Sequence, residues 1–530
     1  MLLALLARLE AHPLYRRYLR FWSEYRVAPE VLALFRLLFF GVLAVDMWLQ
    51  VDQAPRYGAH HFNVSHLQAL DSLLPVLTRP VMAFLFIVQA YLAGLVALGG
   101  GGRAAIVLLT SLFGVSYFSS QLDSYQHHYL MFLVLLLLCF VRWEPEPAAA
   151  APPAATGGKK RKEKVPRAPE APGVWPVRLI LVQISIVYVF AAIAKMDRLW
   201  WDGRVMELQI SAGWARDLIE RMGGFKTVSR MVVATELLLA GGIQVRALRR
   251  FVAPIGILFH VGIEASGFKI GLFSYFMVAL YVLVLPEAPV VRLVQWVHRH
   301  LPAVPLVNHW APLSRQLLRA AAYALAGVLM LLVPIGTPAR MALVAVVVLG
   351  VAGLYAVKRE QRDRHALAHL GACLLVALLA RPAVTDTSRE YFRLWGGSLR
   401  RFGELDAATD ALERAVELAP DYAQSHVTLG KLYMMTGKLD LALREAGRAQ
   451  SLEPGNYRGH LVEAMTRDAA GEGELALAAA ERALERKPGE EQAQAIADRW
   501  RKRLGKSPRE RGAPAPRRPE PTGEEDGEAE

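Results

Sequence analysis

A single lysine closes an otherwise apolar run in Tyr188-Val189-Phe190-Ala191-Ala192-Ile193-Ala194-Lys195-Met196-Asp197-Arg198-Leu199-Trp200-Trp201-Asp202-Gly203. Charged groups at membrane depth carry a desolvation cost and persist where they snorkel, pair or do work, and the neighbouring tryptophans set Lys195 near one bilayer surface. The segment taken alone fits a snorkelling anchor as well as a functional amine. Other polar residues stand at the edges of other apolar runs: His60, His61 and His66, then His127, His128 and Tyr129, and later His260, Glu264 and Ser274. Imidazole and carboxylate groups gathered at one face could pass protons or hold a metal ion. Each also has a plain account as an exposed loop residue, an interfacial polar group or a paired carboxylate.

The elements that must position these groups are apolar helices. The chain has 530 residues, 54% of them hydrophobic, in long uncharged runs separated by short basic ones. That pattern belongs to a polytopic membrane protein and excludes a soluble enzyme. The net charge of +13 lies beside the apolar segments, as cytoplasmic flanks do, so nucleic-acid binding is rejected. Cys139 and Cys373, the only cysteines, signal neither a disulfide framework nor a CxxC metal site. Spans are expected near residues 31–50, 80–99, 104–120, 128–142, 176–196, 229–245, 251–266, 269–286, 316–335, 340–357 and 365–381, each approaching the roughly 20 residues that cross about 30 Å of hydrocarbon. Lys and Arg residues before the first span and after every second one, Lys159 to Arg167 among them, define the cytoplasmic side. Lys195, His127 and His260 then fall towards the opposite, exoplasmic face.

After residue 381 the chain turns charged and Ala-rich with a strict period. Pro420, Pro454 and Pro488 recur 34 residues apart, as do Ala408, Ala442 and Ala476, and Gly403, Gly437 and Gly471. Leu429, Gly430, Tyr433, Gly437, Ala442, Ala449 and Pro454 stand at the offsets of a tetratricopeptide repeat, whose stacked helical pairs present a concave surface to a peptide or partner protein. With eleven spans this array lies on the exoplasmic side. The expected organisation is all-α: first membrane helices in 1–143, a disordered basic linker in 144–175, the remainder of that membrane domain in 176–290, additional membrane helices in 291–388, three repeats in 389–490 and a disordered tail in 505–530.

The segment YVFAAIAKMDRLWWDG resembles the corresponding segment of vitamin K-dependent gamma-glutamyl carboxylase and its bacterial relatives, the horizontally transferred transmembrane (HTTM) domain family. Gln126-His127-His128-Tyr129-Leu130 is similar to the family's Asn-His-x-Tyr-Leu motif, with Gln126 in place of the asparagine. Phe259 to Tyr275 is similar to its later membrane segment, with His260, Gly271, Phe273 and Ser274 in matching places. The resemblance covers about residues 20–290. It implies an integral membrane enzyme that couples oxygenation of a reduced, lipid-soluble vitamin K-type quinone to carbon dioxide fixation on glutamate side chains. The γ-hydrogen of glutamate is far too weak an acid for an ordinary side-chain base, so the oxygenated quinone supplies the basicity, and O2 and CO2 are co-substrates with no metal expected. Lys195 corresponds to the family's catalytic lysine, held uncharged by apolar surroundings to take a proton from the hydroquinone. His127 is implied as the second catalytic group, and His260, Tyr129 and Trp200 as cofactor-binding residues. Asp197 is expected to turn to solvent or to Arg198.

Two further readings use the same residues. A membrane anchor that displays the repeats would retain the lysine segment for packing. A histidine-ligated membrane oxidase would use His60, His61, His66, His127 and His128, although no HxxHH box is present.

Overall fold

The computed structural model describes residues 25–58, 77–122, 126–141, 174–300 with the exception of 269, and 312–506, plus a few single positions outside these ranges. The basic segment before residue 25, His60 and His61, nearly all of the 144–175 linker and the tail beyond residue 506 lie outside the described residues. The chain forms two compact units, Met1–Thr385 and Asp386–Glu530.

The first unit is helical: α1 (Pro29–Leu49), α2 (Arg79–Ala97), α3 (Gly102–Phe118), α4 (Gln126–Leu138), α5 (Trp175–Ala194), the short α6 (Arg198–Trp201), α7 (Arg204–Gln209) and α8 (Gly213–Arg221), then α9 (Gly224–Gly242), α10 (Arg249–Ala265), α11 (Phe273–Tyr281), α12 (Glu287–His300), α13 (Pro312–Leu331), α14 (Thr337–Ala356) and α15 (Arg362–Leu379). A helix occupies each of the eleven apolar stretches. Among the described residues, three helices are long and apolar enough to cross a membrane: Pro29–Arg56, Arg79–Ala97 and Trp175–Ala194. The reasons the others fall short are local. α9 carries Lys226, Arg230 and Glu236 along its length, α11 has nine residues, and α13 opens with Arg315 and Arg319.

Phe35, Phe39 and Phe40 of α1 are fully buried, and Phe39 meets Phe276 of α11 edge-on at 5.7 Å. α5 packs along α9, where Ser185 Oγ donates to the Ala240 carbonyl at 2.7 Å and Gln244 Nε2 to the Leu181 carbonyl at 2.9 Å. These side chains tie two apolar helices together with the hydrogen bonds that a hydrocarbon surrounding cannot supply. α10 approaches α11 at Gly256, where an added Cβ would stand 2.0 Å from Tyr281 Cζ. Phe190, Ile193, Leu238 and Leu258 remain exposed, an apolar outer face that suits lipid rather than water.

The second unit consists of α16 (Thr387–Arg401), α17 (Leu405–Leu418), α18 (Ala423–Met435), α19 (Leu439–Leu452), α20 (Tyr457–Ala469), α21 (Gly473–Arg486) and α22 (Glu491–Arg503). The 34-residue period becomes three helical pairs and a closing helix. Gly403, Gly437 and Gly471 join the helices of each pair at φ of 80°, 75° and 76°, a backbone region that glycine enters without a Cβ penalty. Ala408, Ala442 and Ala476 are fully buried where the paired helices meet, and the prolines follow two residues after the second helix of each pair.

Candidate functional site

α5 ends at Ala194, and the Lys195 amide still bonds back to Ala191 and Ala192. The negative end of that helix therefore lies beside the lysine, which favours a cation there. Asp197 is occupied as the N-cap of α6: its carboxylate accepts from the Leu199 amide at 2.9 Å. It is exposed, which leaves Lys195 to another partner. That partner is Glu236, on the facing side of α9: Lys195 Nζ donates to Glu236 Oε1 at 2.8 Å, with side-chain exposures of 19% and 5%. The sequence reading gave Lys195 no carboxylate. The structure replaces a lone amine in an apolar recess with an amine–carboxylate pair, because α5 and α9 pack side by side. Trp200 lies below the pair with its ring centroid 5.3 Å from Nζ, within range of a cation–π contact.

Two turns before Lys195 on α5, Tyr188 begins a second polar group. Tyr281 Oη donates to Tyr188 Oη at 2.9 Å, and Tyr188 Oη lies 2.8 Å from His260 Nε2. With Tyr281 donating, the Tyr188 hydroxyl hydrogen is available to His260 Nε2, so a neutral His260 carries its proton on Nδ1. His260 Nδ1 and Glu236 Oε2 are both buried, and neither has a hydrogen-bond partner among the described residues. One is a donor and the other an acceptor. The charges of Lys195 and Glu236 lie within electrostatic range of the neutral His260 and Tyr188.

His127 approaches from α4. Phe273, at the start of α11, lies 6.1 Å from the His127 ring and 5.9 Å from the His260 ring. Beside it, His128 is buried and its Nε2 stands 3.7 Å from Asp46 Oδ2 of α1. A cavity of about 30 Å³ lies on the His128 side, lined by Met47, Gln50, Phe86, Gln89 and Ser116 among others. It has room for a water molecule and not for a quinone.

Of the five residues singled out in the sequence, Lys195, Trp200, His260 and His127 stand around α5, α9, α10 and the start of α11. Tyr129 is placed apart: it is 47% exposed and its ring neighbours Tyr117 at 6.3 Å. Two residues along a helix turn a side chain through about 200°, so Tyr129 cannot share the face that His127 presents to Phe273. Sequence reasoning missed Glu236, Tyr188, Tyr281 and Asp46. Their signal was present as polar residues inside apolar runs, Glu236 within Met231–Gly242 above all. Of the other histidines, His66 stacks on Tyr117 at 4.2 Å, and His60 and His61 lie outside the described residues. Among the described residues no three His, Cys, Asp or Glu side chains gather to hold a metal ion.

Residues 25–288 match the HTTM domain family. No curated protein matches the chain significantly. Solved structures similar to parts of it are the first TPR of Spaghetti bound to an HSP90 peptide (19% identity, TM-score 0.22, 22% of this chain and 93% of that one) and MamA (23% identity, TM-score 0.20, 24% and 76%). A chain of the Cut9–Hcn1 hetero-tetramer of the APC/C is matched at 10% identity and TM-score 0.22 over 80% of this chain and 62% of that one.

Proposed function

Since the chain carries an HTTM domain in residues 25–288, of a membrane family related to the vitamin K-dependent carboxylases, we propose that its membrane unit is a quinone-dependent enzyme of the gamma-glutamyl carboxylase type. The observation that carries this reading is the Lys195–Glu236 pair, set beside the buried Tyr281–Tyr188–His260 chain. The unpartnered Glu236 Oε2 and the His260 Nδ1–H form an acceptor and a donor suited to the hydroxyl and oxygen of a quinol, and Trp200, Phe268 and Phe273 supply apolar walls.

When bound, a reduced quinone with O2 supplies the strong base that glutamate carboxylation needs. The protein's residues start and shelter that chemistry. Proton transfer along the 2.8 Å contact from Lys195 Nζ to Glu236 Oε1 leaves a neutral amine, whose lone pair accepts a hydroxyl proton. Pairing in this way avoids a lone charge in apolar surroundings. His260, its tautomer fixed by Tyr188, would hold a quinol oxygen through its Nδ1–H. His127, whose ring lies 6.1 Å from that of Phe273, would donate a hydrogen bond or proton near the glutamate and carbon dioxide. The aromatic side chains exclude water from the strong base.

The test is to incubate the purified protein in lipid with reduced naphthoquinone, oxygen and labelled bicarbonate, with and without glutamate-containing peptides. Quinone epoxide and fixed label are scored separately. Both products, lost in Lys195→Ala, support the reading. Neither product from correctly folded protein would instead leave a membrane anchor for the repeat unit.

A further inference from the structure

The repeat unit holds a concentration of positive charge on one ladder of helices. α16, α18 and α20, the first helices of the three pairs, pack one against the next, and α22 packs against α20. They carry Arg400, Lys431 and Arg458, and α18 itself, AQSHVTLGKLYMM, has no acidic residue. Lys431 is partly buried, and among the described residues no hydrogen bond or ion pair is made by its amine. Burial first, and then the charges of Arg400 and Arg458, outweigh the opposing pull of Tyr457 and Glu490 and hold that amine below its ordinary value. Arg400 Nη1 reaches only Met435 Sδ, at 3.7 Å, and its buried Nε has no partner among the described residues. Arg458 Nη1 donates to the neutral Gln424 at 2.7 Å.

The carboxylates around this cluster are bonded to other bases, although the charge of Glu490 still reaches Lys431. Glu490 is taken by Lys487 at 2.5 Å, Asp468 by Arg499 at 2.7 Å, Glu463 by Arg482 at 2.9 Å and Glu445 by His426 at 2.6 Å. Three like charges, none of them in an ion pair among the described residues, form an electrostatic vacancy for an anion with several carboxylates.

The chain itself contains such a segment. Residues 523–530, GEEDGEAE, carry Glu524, Glu525, Asp526, Glu528 and Glu530 and no basic residue. They follow α22 after a linker rich in proline and arginine. The roughly 17 residues between Lys506 and Gly523 reach up to about 60 Å when extended. Neighbouring helices pack about 10 Å apart, so the ladder from α22 back to α18 is well within that reach. We propose that the acidic segment 523–530 docks on the Arg400–Lys431–Arg458 face and occupies it in cis, so that an acidic partner peptide must displace it. The proposal is independent of the quinone chemistry assigned to the membrane unit.

The test uses the full-length protein and a chain ending at Thr522, both in detergent micelles, with a fluorescein-labelled peptide of residues 519–530 read by fluorescence anisotropy. A short covalent tether gives an effective concentration on the order of 1 mM, so the peptide should bind the shortened chain at least about tenfold more tightly than the full chain. Lys431→Glu combined with Arg458→Glu should weaken binding to the shortened chain by at least about tenfold, and 0.5 M salt should weaken it as well. The Lys431→Gln and Arg458→Gln variants keep the test valid if charge reversal unfolds the array, and should each lower affinity several-fold. Equal binding to the full and shortened chains would overturn occupancy in cis and leave the face to an external acidic peptide. Undiminished binding by the glutamine variants, or no binding to the shortened chain, would overturn the site itself.

Discussion

Lys195, just past the end of α5, and Lys431, within α18, are both partly buried, and their surroundings differ. Lys195, in the membrane unit, has a carboxylate at 2.8 Å and an aromatic face below it. Lys431, in the repeat unit, has no carboxylate bonded to it among the described residues, and the charges of Arg400 and Arg458 act on it against that of Glu490. The difference follows from the solvent each unit meets. Where hydrocarbon surrounds the fold, a charge must bring its partner with it, and that partner comes from another helix. Where water and salt screen the surface, a like-charge cluster is tolerable and its counter-ion can arrive from outside.

The sharpest way to break this comparison is to remove one member of the internal pair. Lys195→Ala should lower quinone-dependent turnover by more than about 100-fold. It should also destabilise the membrane unit by about 3–5 kcal/mol, since Glu236 would be left buried and unpaired. The double variant Lys195→Met with Glu236→Leu should recover the stability and not the turnover, as read by thermal unfolding in detergent and by product formation.

A smaller effect is expected at the hydroxyl chain. An alanine at Gly256 would drive its Cβ into the Tyr281 ring, at a cost of about 3 kcal/mol from overpacking. It should lower turnover by displacing Tyr281 from Tyr188, whereas Gly262→Ala on the same helix meets open space and should be silent in both measurements. In the repeat unit, Ala442→Leu enlarges a fully buried contact between paired helices. It should cost about 2 kcal/mol and leave turnover unchanged, which denaturant unfolding and the same enzyme assay would show.

The smallest effect is a pH dependence confined to the repeats. Burial disfavours the charged form of His426, but its hydrogen bonds to the Glu445 carboxylate and the Pro420 carbonyl, with the Glu445 charge, together raise it above its ordinary value of 6.5. A raised value means that the folded state holds the proton more tightly. The stabilisation is therefore full below pH 6.5 and fades as the pH climbs through the raised value. Hydrogen exchange in α18 and α19 should quicken over that interval, and Glu445→Gln should flatten the response.

The two units also differ in how much of them could be read from residue order. The repeat architecture was legible because each pair repeats the same local demands: a small residue at Ala408, Ala442 and Ala476, a left-handed turn at Gly403, Gly437 and Gly471, and a proline after the second helix. Period alone did not show that Lys431 would face Arg400 and Arg458, because those positions vary between repeats. In the membrane unit the apolar runs gave the helices, and the lysine among them marked one side of the site. Its partner Glu236 lies 41 residues away, and Tyr281 lies 93 residues from Tyr188. Such pairings depend on which helices neighbour one another, which hydropathy does not specify. Tyr129 illustrates the converse: two residues after His127 in the motif, it is turned away by the rotation of its own helix.

The most direct measurement of the central claim is oxygen-dependent epoxide formation from reduced naphthoquinone by the purified protein in lipid, compared with Lys195→Ala at matched, folded amounts. The account predicts steady epoxide formation by the unaltered protein and a loss of more than about 100-fold in the variant. Equal rates in the two, or no epoxide from either, would contradict it.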